Sequence, residues 1–149
     1  MAEAQTVYLD TLAAGFAGMV ANGETSNRIT RTCEDAGGIG FGVPVYEGST
    51  PHTCTRTAAV GKLLGITIAD QHLGLVSGQD ADEYAQFENV AIMTQGVIFV
   101  TAGEAVTARA PAFDSDAAIV VTELDNTAMT GWQFDEAAAN GALVKLAKR

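Results

Sequence analysis

The sequence predicts an all-β fold, a small β-barrel or jelly-roll-like domain entered through an extended, partly helical N-terminal arm. Three observations carry that expectation. Glycine occurs 16 times in 149 residues and recurs between short apolar stretches, as turns recur between strands. Several of those stretches are rich in β-branched residues. A four-residue apolar recurrence is found only near the start of the chain.

That recurrence is Tyr8, Leu12, Phe16 and Val20, spaced as on one helix face, while Gly15 and Gly18 weaken the same helix. An extended arm fits this segment as well as a helix does. The expected division is an arm over residues 1–35 and a β domain over residues 36–149, with no internal repeat, low-complexity tract or linker between them.

In the β domain the clearest strand is residues 39–45, where Ile39, Phe41, Val43 and Val45 alternate with glycine or proline. Pro44 cannot donate to a ladder, so an edge or bulged strand is expected. Further strands are predicted at residues 62–69, 90–94, 97–101, 105–109, 119–123 and 142–147. Gln95-Gly96 separates the third and fourth of these seven stretches, a two-residue joint that predicts a tight hairpin. Residues 77–83 are polar and acidic without an apolar period and read as an exposed loop, as do residues 124–130.

A chain of 149 residues, 48% hydrophobic, is long enough to bury a core without disulfide staples. Mean hydropathy is +0.16, too apolar for a disordered chain and too interrupted for a membrane span. Eighteen acidic residues against eight basic ones give a net charge of −10. Nucleic-acid binding draws on clustered Lys and Arg. Here Arg28, Arg31, Arg56, Lys62 and Arg109 are scattered, and only Lys145, Lys148 and Arg149 lie close together, so no direct nucleic-acid contact is expected. No basic stretch followed by an apolar one opens the sequence, which points to synthesis in a cytoplasm. In that reducing setting Cys33 and Cys54 are read as free thiols in preference to a pair.

Catalysis requires a nucleophile with a base, paired carboxylates or a cluster of metal ligands. Cys33, His52 and Cys54 lack a zinc-knuckle spacing and have no second motif beside them. His72, two residues after Asp70, has no neighbouring nucleophile and reads as a polar strand end. The glycines of residues 37–42 are not followed by a helical pattern or a Gly-Lys-Ser/Thr, so close packing or a bulge explains them better than a phosphate loop. Asp80, Asp82 and Glu83 lack the spacing of a calcium loop. Trp132 and Phe134 are assigned to the core. No catalytic residue, metal or cofactor is expected.

Five landmarks in order, Gly18-Met19-Val20-Ala21-Asn22, Ile39-Gly40-Phe41-Gly42, Gly65-Ile66-Thr67-Ile68, Gly96-Val97-Ile98-Phe99-Val100 and Asn140-Gly141-Ala142-Leu143-Val144-Lys145-Leu146, make the chain resemble the structural cement proteins of tailed phages. The likeness runs along most of the chain and rests on order and spacing, since each motif is short. Phe87-Glu88-Asn89 and Ala108-Arg109-Ala110-Pro111 stand where Gly-Asp turns are expected, which bears on loop conformation.

The resemblance implies a non-enzymatic protein on the outer surface of a phage head, made in the host cytoplasm. It would bind the major capsid protein and bridge its neighbouring subunits against internal DNA pressure. It would also associate with itself as a dimer or trimer. Tyr8, Leu12, Phe16 and Met19 are the expected partner interface, because an arm that cannot fold alone must pack its apolar side chains on something. A head fibre base or tail part is the alternative within a virion; a small ligand-binding or hydrolytic barrel around His72 and Asp70 is the alternative outside it.

Overall fold

The structure is a computed structural model that describes residues 15–70, 82–116 and 118–149. Among them the chain forms β1 (Asn27–Cys33), β2 (Ile39–Gly40), β3 (Pro44–Glu47), β4 (Thr53–Thr55), β5 (Leu63–Thr67), β6 (Glu83–Tyr84), β7 (Asn89–Thr101), β8 (Pro111–Asp114), β9 (Ile119–Val120), β10 (Thr127–Phe134) and β11 (Leu143–Lys148), with no helix. The all-β expectation holds, and the partly helical element is not seen in residues 15–35. Tyr8 and Leu12 lie outside the described residues.

The strands run in the order β1-β4-β3-β5-β7-β11-β10-β8-β9, and β1 pairs with β7 as well. That extra pairing closes β1, β4, β3, β5 and β7 into a five-stranded barrel, which leaves no free edge within the ring. The other strands continue from β7 as a second sheet. A single bridge between Ala102 and Ile119 brings its last strand back beside the end of β7. Residues 27–33, within the stretch read as arm, are thus β1 of the barrel, hydrogen-bonded to β7 from Asn27↔Gln95 to Thr32↔Asn89.

The tight hairpin expected at Gln95-Gly96 does not form. Residues 89–101 are one 13-residue strand, because each half has partners on both sides. Its first half lies between β1 and β5. Its second half lies between β11 and the segment ahead of β1, which is tied on by a Val20↔Ile98 bridge. Gly96 serves close packing: a Cβ there would stand 2.7 Å from Cβ of Ser26 and 3.0 Å from Sδ of Met93, at φ +133°.

The strand predicted at residues 39–45 is two strands divided by a turn at Phe41 and Gly42. β2 pairs only with β6, and β3 starts at Pro44. β3 is internal, so the edge expectation fails, while a register shift does fall between Val45 and Tyr46. Pro44 is tolerated because β4 engages β3 only at Tyr46 and Glu47. Residues 105–109 make one bridge, Val106↔Ala138, in place of a strand. The loop expected through residue 130 gives way to β10 at Thr127.

Two apolar clusters fill the molecule. Cys33, Val45, Cys54, Val90 and Ile92 pack in the barrel with Ile39 and Tyr84 of the two-stranded sheet. Trp132, Phe134, Val144, Leu146 and Met129 form the larger cluster, together with Ile66 and Met93 of the barrel strands. The shared cluster and the shared strand β7 make the two sheets one body.

Candidate partner-binding surface

The segment before β1 is held by main-chain bonds. The Gly18 N–H donates to the Phe99 carbonyl (2.8 Å), the Phe99 N–H to Met19 (2.9 Å), the Ala21 N–H to Val97 (3.0 Å), and the Ala69 N–H to Gly18 (2.8 Å). Gly18 crosses Gly42 so closely that a Cβ on Gly42 would stand 2.6 Å from the Gly18 nitrogen. Both glycines have left-handed φ values, +85° and +69°. Only this residue type allows the crossing.

That crossing fixes what the segment displays. Phe16 keeps 42% of its surface in water although it adjoins an anchored stretch of backbone. Ala17, Phe41 and Asp82 line a hollow with it, and Phe41 in turn meets the Tyr84 ring edge-on with centroids 5.2 Å apart. Met19 is half-buried. Of the four predicted interface residues, Phe16 and Met19 therefore occupy one surface-lying segment.

The remaining chemical candidates are scattered or buried. Cys33 and Cys54 face each other in register across β1 and β4, both free and both fully buried. Burial pushes their thiols up to about 11 and about 12, which suppresses the reactive thiolate. His52 is exposed, His72 and Asp80 lie outside the described residues, and no His, Cys, Asp and Glu group that could hold a metal occurs among the described residues. Gly38 backs directly onto β6, where a Cβ would sit 3.1 Å from the Glu83 carboxylate, a position hostile to a phosphate. Trp132 and Phe134 are buried core, as expected.

Two arrangements escaped the sequence. Asp114, 2% exposed, accepts from the Tyr46 hydroxyl (2.8 Å) and from both terminal nitrogens of Arg56. Phe87, in the turn between β6 and β7, is 76% exposed at φ +70°. No pattern in the sequence joins Tyr46, Arg56 and Asp114, which come from β3, the residue after β4, and β8. Phe87 was visible only as a bulky residue at an expected turn.

The family described as structural cement protein (E217 gp24/Pam3 gp6) matches residues 4–148. The chain belongs to this family. No curated protein matches it. A solved structure titled the capsid of Myoviridae phage XM1 superposes with a TM-score of 0.72 at 13% identity, covering 94% of this chain and 93% of that one. This likeness shows a common fold. The head fiber gp8.5 N base of bacteriophage phi29 aligns over 84% of this chain and 95% of its own, with a TM-score of 0.48 and 12% identity. As a structural cement protein the chain has a structural role in a virion.

Proposed function

We propose that this cement protein binds the outer surface of a phage head and bridges neighbouring major capsid protein subunits, stabilising the shell against internal DNA pressure. The observation that carries this reading is the family match along residues 4–148. The net charge of −10 supports an outward position, since packaged DNA would repel it.

The arm residues Tyr8, Leu12, Phe16 and Met19 make the contact, with Phe16 already presented beside β7. The protein acts as a dimer or trimer, so that each copy engages more than one shell subunit. Many weak contacts on a lattice then act together, because the second contact of a tethered pair is made at high effective concentration. No step involves catalysis.

Replacing Tyr8 and Phe16 with Ala tests the arm. The double variant should remain folded, with an unchanged thermal transition, and should pellet with shells lacking the protein at least tenfold less well than the parent. Undiminished pelleting would remove the arm from the contact.

A further inference from the structure

We infer that the turn between β6 and β7 is a second anchor, in which Phe87 inserts into an apolar pocket on a shell subunit whose rim is basic. The inference rests on the proposed shell-binding role.

Phe87 combines two costs. A bulky residue at φ +70° is backbone strain of a kind that persists only where the surroundings enforce it. Its ring is also 76% exposed, more than Phe16 at 42%.

The surroundings enforce this geometry. The Phe87 N–H donates to the Cys33 carbonyl at the end of β1 (2.9 Å). The Gln86 side-chain amide donates to the Glu34 carbonyl (3.0 Å). Within the turn, the Glu88 N–H donates to the Ala85 carbonyl (3.1 Å) and the Glu88 carboxylate accepts from the Ala85 N–H (2.7 Å). A rigidly presented aromatic loses little conformational freedom on binding, which suits an interface anchor.

Charge decides the occupant. Glu34, Asp35 and Glu88 flank the turn. Glu34 and Asp35 accept from neutral donors, the Ser49 amide and the Thr55 hydroxyl among them. Arg31 turns its guanidinium to the Thr30 carbonyl (2.8 Å). Two copies meeting through this patch would oppose carboxylate to carboxylate, whereas a partner with lysines or arginines around an apolar pocket complements it.

Phe87→Gly and Phe87→Asn test the assignment, because both residues accept the left-handed conformation. Each variant is mixed with shells lacking the protein, pelleted at a subsaturating concentration and at several salt concentrations, and melted alone. The expected result is a melting temperature equal to or above that of the parent, with shell binding roughly tenfold weaker or worse. Parent-like binding by both variants, while the parent itself binds, overturns the anchor and leaves the shell-binding role standing. A lowered melting temperature in both would make Phe87 a packing residue. Loss of a free oligomer would make the patch a self-contact. Failure of the parent to bind would remove the shell-binding role and the anchor together.

Discussion

Arg56 grips Asp114 with both terminal nitrogens, at 2.6 and 2.7 Å, and so ties the barrel to the second sheet. The Tyr46 hydroxyl and the Asp116 N–H complete the carboxylate's shell, at 2.8 and 3.1 Å. The Asp114 side chain is fully buried and that of Arg56 is 20% exposed, so their losses are unequal. Arg56→Ala strands a buried charge and should cost about 3 kcal/mol in denaturant unfolding. Asp114→Ala leaves a guanidinium that reaches water, and should cost less.

The crossing of Gly18 and Gly42 should tolerate no side chain. Gly42→Ala places a methyl 2.6 Å from the Gly18 nitrogen at φ +69°, and about 1–3 kcal/mol of destabilisation is expected. Hydrogen exchange should quicken at the amides of Gly18 and Ala21, which donate to Phe99 and Val97 of β7, and of Ala69, which donates to Gly18, while the amides of β11 stay protected.

Alkali should destabilise the protein progressively. Burial raises the Cys33 and Cys54 thiols from 9.0 to about 11 and about 12, and the Tyr84 hydroxyl from 10.0 to about 12. The unfolded chain releases these protons first, so their contribution to stability is complete below pH 9.0 and is lost as the pH rises from there toward 12. Melting temperature measured against pH should fall across that window. A disulfide reagent at about pH 8 should modify neither thiol until denaturant is added.

At the acid end the sign reverses. Arg149 lies 2.9 Å from both Glu24 and Asp135, and holds their carboxyls below the ordinary 4.5 and 3.8. Stability from this cluster is complete above those values and is lost as the pH falls through the lower folded ones. The groups are solvent-exposed and screened, so the loss in Arg149→Ala should be small, largest at neutral pH and absent once both carboxyls are protonated, with the acid transition moved slightly upward in pH.

The all-β class, the strands β5, β7, β9 and β11 in part or whole, and the core places of Trp132 and Phe134 were legible because period-two patterning and β-branched residues report burial on a sheet face, whereas β4, β6, β8 and β10 were not read as strands. The continuity of β7 was not. Gln95-Gly96 has the chemistry of a hairpin, and only the competing partners, β1, β5, β11 and the segment at Val20, keep the strand straight. β1 was hidden for a similar reason: Asn27–Cys33 is mostly polar, with Asn27, two arginines and two threonines around Ile29, and only its place in the closed barrel makes it a strand. Of the surface, Phe16 could be singled out from the apolar spacing of Tyr8, Leu12, Phe16 and Val20. Phe87 could not, since its significance lies in a backbone angle and in exposure.

The most direct measurement is to titrate the purified protein onto phage shells lacking it, pellet the shells, and quantify bound copies per major capsid subunit. Saturation at a fixed ratio is the predicted result. Absence of pelleting at every concentration would contradict a role in clamping the shell.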